Sequence, residues 1–157
     1  MKKKVVKKFV FEGLGFPVVF LNTPVREVRG EVALDLNLNK VQKAVLRALS
    51  LKPIPLNGNE IRFIRQYLEL TYVQFAKVIG VTHPAVVKWE KKGNKTANIT
   101  PSTELYIRLY ISEFLGDTNE KFRGTFIAFN SNQNLKKPAN PAVTPQPLVV
   151  ETNKLCA

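Results

Sequence analysis

The sequence predicts a mainly α fold in three parts. These are a small strand-and-helix module over residues 1–55, a helix-turn-helix bundle over 56–116, and a short helical extension with a disordered tail over 117–157. Three observations carry this reading. Two helix-start signals, each a capping residue with Glu or Gln three places on, stand one helix apart at Asn57/Glu60 and Thr71/Gln74. From Leu70 to Glu90 apolar residues recur at helical spacing on both sides of a Gly-Val pair. Beyond Asn130 that periodicity ends, and Asn, Pro, Lys and Thr dominate.

The elements follow in order. Val5 to Phe11 and Val18 to Leu21 read as strands separated by Gly13, Gly15 and Pro17. Val25 to Arg29 and Glu31 to Leu36 read as a further pair bent at Gly30, with Val18, Phe20 and Val25 as candidate core residues. Asn39 is placed to cap a helix running to Ser50, with Val41, Ala44, Val45, Ala48 and Leu49 on one stripe. Pro53 and Pro55 end it.

The bundle opens at Asn57, with Leu56 and Ile61 as a hydrophobic staple and Ile61, Ile64 and Leu68 on one face. Thr71 and Gln74 start the next helix, stapled by Leu70 and Phe75. Ala76 is small where two helices cross, and Gly80 supplies the left-handed backbone of the turn. Thr82 then caps a second helix with Pro84 in its first turn. This is the helix-turn-helix arrangement. Thr100 and Pro101 begin a last long helix with two apolar stripes. Leu105 and Leu109 are expected to close the bundle. Ile107, Tyr110, Ile111 and Phe114 are left without a partner, which predicts a homodimer. Phe122, Phe126 and Phe129 are spaced to extend that contact.

The net charge of +12 points to an anionic partner, nucleic acid before a membrane surface. The single cysteine, Cys156, excludes a disulfide framework, and the single histidine, His83, cannot gather a metal set. No cofactor, no metal and no enzymatic activity are expected, since no nucleophile–base pair, carboxylate pair or phosphate loop stands out. The basic, then apolar start is broken by Lys7, Lys8, Glu12 and Pro17, so neither a signal peptide nor a membrane span is expected. A cytoplasmic location follows as the expectation.

At about 100° per residue, the helix after Thr82 puts Ala85, Val86 and Trp89 on its buried side. Pro84, Val87, Lys88 and Lys91 lie on the other, with His83 at the edge. That face suits a major groove. Lys88 can donate to guanine O6 and N7, and Val87 can touch a thymine methyl. Lys91, Lys92 and Lys95 are placed for phosphates, and Thr71 and Tyr72 can add bonds to phosphate from the preceding helix. With Thr82 and His83 these make the candidate interface with double-stranded DNA.

Residues Leu56 to Leu115, through LNGNEIRFIRQYLELT, FAKVIGV and VVKWEKKG, resemble the Cro/repressor-like (XRE) helix-turn-helix domain. The resemblance implies a lambda repressor-like bundle. The front half, through GLGFPVVFLNTPVREVRGE and the lysine-proline linker before LNGNEIRFIRQYL, looks like MqsA-type antitoxin regulators. That implies a dimeric repressor whose N-terminal module binds a cognate toxin. The family's zinc half-site C-x-x-C-G-E falls here on Arg26, Glu27, Val28, Arg29, Gly30 and Glu31, so the resemblance implies a site that has lost its metal. Where the family has Gln at the start of the second helix, this chain has Tyr72. Of the two base-reading positions, Pro84 and Lys88, only Lys88 keeps a polar head. The leading expectation is a sequence-specific DNA-binding regulator. The alternative is a protein-interaction or nonspecific DNA-binding module that kept the fold.

Overall fold

A computed structural model describes residues 3–135 and 147–152. The chain divides into two compact units, residues 1–48 with 147–157, and residues 49–146.

The first unit is a four-stranded mixed sheet with most of a helix. β1 (Lys4–Phe11) and β2 (Val18–Val28) pair antiparallel from Lys4 opposite Val25 to Phe11 opposite Val18. β3 (Glu31–Leu34) returns along the other side of β2, and the two-residue turn Arg29–Gly30 has positive φ at both positions, as a tight hairpin requires. β2 is one strand where the sequence predicts two. Asn22 adopts a left-handed backbone (φ 51°) and drops out of the pairing with Lys7, yet the register continues unchanged beyond it. Val18, Phe20 and Val25 are buried, as expected, and Phe11 packs against Phe20 with ring centroids 6.1 Å apart. α1 (Leu38–Ser50) buries Val41, Val45, Leu46 and Leu49. Its cap is Asn37, whose Oδ1 accepts from the amides of Asn39 and Lys40; the expected cap, Asn39, lies inside the helix.

The last strand overturns the expected fold class. β4 (Leu148–Glu151) pairs parallel with β2, buries Leu148 and Val150, and is followed by Thr152, whose hydroxyl meets the carbonyls of Leu21 and Asn22. The fold is therefore not mainly α with a disordered tail. Helix makes up 50% and strand 21% of the described residues, an α/β composition in which the sheet belongs to a unit with its own core. Residues 136–146 and 153–157 of the expected tail, Cys156 among them, lie outside the described residues.

The second unit holds α2 (Gly58–Tyr67), α3 (Tyr72–Ile79), α4 (His83–Glu90), α5 (Pro101–Phe114) and α6 (Asn119–Leu135). Both capping boxes form, and Gly80 ends α3 in the left-handed conformation at φ 74°. Thr82 and Thr100 occupy cap positions with extended backbone but make no side-chain cap bond; Thr100 bonds the Thr103 hydroxyl instead. No described helix is long and apolar enough to cross a membrane.

The inner face of α5 is not the one predicted: Leu105 and Leu109 are only half-buried. Ile107 and Ile111, expected at a dimer contact, are buried within the chain together with Glu104, Arg108 and Ser112. The cause is a polar network. The Arg108 guanidinium donates to the carbonyls of Leu49 (3.3 Å), Lys52 (2.6 Å) and Ile54 (3.0 Å) and pairs with Glu104 (3.3 Å). Glu104 also accepts from the Leu56 amide at 2.6 Å, and Lys52 forms a buried pair with Glu60 at 2.6 Å. The linker Lys52–Pro55 has two prolines and can offer little to a regular element, so Arg108 satisfies its Lys52 and Ile54 carbonyls and Lys52 its Pro55 carbonyl. Burial pushes the Arg108 pKa down, and the adjacent Glu104 opposes that shift.

One close approach locks α2 to α4. A Cβ on Gly58 would lie 2.4 Å from the Trp89 carbonyl oxygen and 2.9 Å from that of Glu90. Both are backbone atoms and cannot swing aside. Gly58→Ala should therefore lower stability by about 1–3 kcal/mol through overpacking. Urea denaturation followed by the fluorescence of Trp89, the only tryptophan, checks this.

Candidate nucleic-acid interface

α4 is held from behind by a carboxylate. Glu90, 2% exposed, receives Arg65 through Nε at 2.6 Å and Nη2 at 3.3 Å, and Arg62 through Nε at 3.4 Å. Arg65 also donates to the Leu70 carbonyl at 3.0 Å and lies over the Tyr72 ring at 4.1 Å. One guanidinium thus ties α2 to the end of α4 and to the start of α3. The Glu90 hydrogen bond holds the Arg65 pKa above its ordinary value, against the opposing effect of burial.

Trp89 does not take the core place expected for it. It is half-buried, as is Ala85, and α4 presents Val86 and Glu90 inward. The polar anchor occupies the inner position because Arg65 reaches it there.

The outward side of α4 carries the predicted residues. His83, Pro84, Lys88 and the following Lys91 are exposed, and Val87 is half-buried. Thr82 in the turn and Thr71 and Tyr72 at the start of α3 are exposed. Thr71 is engaged in its capping box and Tyr72 in its stack with Arg65, so each is held in a fixed position.

The loop after α4 is clamped. Gly93 has φ 60°, and its carbonyl accepts from the Asn59 amide at 2.9 Å. The Lys95 carbonyl accepts from the Gly58 amide at 3.3 Å, and the Ala97 amide donates to Leu56 at 3.1 Å. The Asn59 and Asn94 side chains bond at 2.9 Å. The first amides of α2 are thus satisfied by this loop, and Lys91, Lys92 and Lys95 project from a fixed backbone. Lys92 is half-buried; Lys91 and Lys95 are exposed. Among the described residues no acidic side chain pairs with Lys88, Lys91, Lys92 or Lys95. These cations are available to an anion.

Sequence reasoning missed Arg65, Glu90 and Gly58. The pattern did contain a signal, since a Glu that closes an otherwise basic helix face is out of place unless it is buried and paired. Of the predicted dimer residues, Ile107 and Ile111 are core, Tyr110 is half-buried, and only Phe114 is exposed. Among the described residues the exposed large apolar side chains on α5 and α6 are Tyr106, Phe114, Phe122, Phe126 and Ile127. No protein-family model, curated protein or solved structure matches the chain.

The Glu90 anchor is expected to behave as a buried ion pair. Glu90→Leu alone strands Arg65 and should cost about 3 kcal/mol or more, whereas Arg65→Met with Glu90→Leu should recover most of that loss. Urea titrations of the two variants and the parent protein decide it.

Proposed function

We propose that the chain is a sequence-specific double-stranded DNA-binding regulator that presents α4 to the major groove. The observation that carries this reading is the α3–α4 pair. Its inner side is anchored through Glu90, and its outer side offers His83, Val87, Lys88 and Lys91 beside a clamped lysine loop. Two short helices joined by a left-handed glycine turn have the geometry of groove-reading pairs. In this reading Lys88 meets base edges and Val87 a thymine methyl. Lys91, Lys92 and Lys95 meet phosphates, joined by Thr71, Tyr72 and Thr82 from the turn side.

The regulator acts as a dimer, through the part of the expected surface that stays open once Ile107, Ile111 and Phe129 are buried. Tyr106, Tyr110 and Phe114 recur every fourth residue along the outer side of α5, and Phe122 and Phe126 do so on α6, which packs against it. Residues 101–135 carry three basic side chains (Arg108, Lys121, Arg123) and four acidic ones (Glu104, Glu113, Asp117, Glu120). In a chain of net charge +12, this stretch can meet its own copy without strong repulsion.

Two measurements test these statements. Lys88→Ala should cost about 1–3 kcal/mol on a site selected from random duplexes and relax base preference there. Lys91→Ala should weaken binding to all duplexes alike and reduce the salt slope by about one unit. Identical behaviour of the two variants, with no preferred site for the parent protein, would leave a nonspecific binder or interaction module as the better reading. For the dimer, sedimentation of Phe126→Glu should show monomer where the parent protein shows dimer. A monomeric parent at micromolar concentration sinks the dimer.

A further inference from the structure

The outer side of β1 is uncovered. Among the described residues β1 pairs with β2 alone, so its other side is a free edge of backbone N–H and C=O groups spaced to receive another strand. Sheets usually blunt such an edge with a proline, a bulge, a very short strand or charged side chains, lysine above all. β1 is 8 residues long, contains no proline, and keeps one register with β2 along its length.

Its side chains select what can approach. Lys4, Lys7 and Lys8 are exposed and have no acidic partner among the described residues; Lys3, just before them, pairs with Asp35 at 3.5 Å. Three unpaired cations on an edge repel any basic strand, including β1 of a second copy. They favour an acidic one. Val5 and Val10 are 68% and 51% exposed and would be partly covered by an added strand.

We propose that the free edge of β1 docks an extended acidic segment of a partner protein, which joins the sheet alongside β1. A duplex could satisfy the lysines. It would leave Val5 and Val10 bare and has no alternating row of donors and acceptors for the edge, so the peptide is the better fit. The proposal concerns the sheet unit and does not rest on the reading of α4.

The test uses the full chain and a fluorescent peptide of alternating glutamate and valine, read by anisotropy at about 0.15 M salt. The comparison peptide has the same sequence with every second backbone amide N-methylated, which keeps the charge and removes strand pairing. The alternating peptide should bind, and the N-methylated one should bind at least about tenfold more weakly. Lys4→Glu/Lys7→Glu/Lys8→Glu should weaken the first peptide by a similar factor, with its folded state checked by circular dichroism. If that variant fails to fold, the two peptides on the parent chain still decide. Equal binding of both peptides, or binding of neither, overturns the proposal. So does displacement of the peptide by random duplex that is unchanged in Lys88→Ala/Lys91→Ala, which would make β1 a nucleic-acid surface. That double variant should bind the peptide as the parent does, so failure of the α4 reading is seen separately.

Discussion

The helical unit is organised around the carboxylate of Glu90. A buried carboxylate loses its hydration and is tolerated only where cations and donors replace it. Arg65 and Arg62 do so from α2, and the partners on one oxygen or the other lie between 2.6 and 3.4 Å away. This bond is directional as well as strong, because the guanidinium fork fixes its own plane. It therefore sets the rotation of α4 about its axis, a property that apolar contact at Val86 alone would leave loose. Once the rotation is set, the exposed side of α4 follows. The same guanidinium carries Tyr72 on its face, so the start of α3 is placed by the group that places α4.

Arg108 does comparable work for the linker. Its donors meet carbonyls of a segment that prolines keep out of helix and strand. Together with Glu104 it draws Ile107 and Ile111 inward, since all four lie within one side of α5. The two polar centres share a design: a cation from one helix satisfies groups that local structure leaves unpaired.

What the sequence revealed and what it concealed divide along the range of the interaction. Both capping boxes and the glycine turn at Gly80 are bonds between near neighbours, and they were legible. The Val18, Phe20 and Val25 core was legible from strand composition. Arg65 lies 25 residues from Glu90, and Arg108 lies 56 residues from Lys52. No periodicity marks such pairs, and an isolated charge reads as solvated surface. The continuity of β2 was hidden by Asn22, whose left-handed backbone reads as a break although the strand absorbs it. β4 was hidden by its setting, because a four-residue strand beyond a proline-rich stretch carries no weight until β2 supplies a partner. Within the candidate interface, Lys88 and Lys91 were named from helical phase alone. The bonds that hold them still were not, because backbone pairing between the loop at Gly93 and the start of α2 leaves no mark in side-chain identity.

The pairing of β4 with β2 has a consequence for the order in which the molecule is made. Synthesis runs from the amino end, and segments fold as they leave the ribosome. β2 emerges before the helical unit, but the strand that lies beside Val18 to Leu21 comes after the whole of it. During that interval the β2 backbone at these positions waits without its parallel neighbour. The unit begun first is thus completed last, and the helices of residues 49–135 have time to assemble before the sheet closes. A nascent chain stalled before Leu148 would hold a finished helical unit and an unfinished sheet, which makes the sheet the part that reports whether translation passed Glu151.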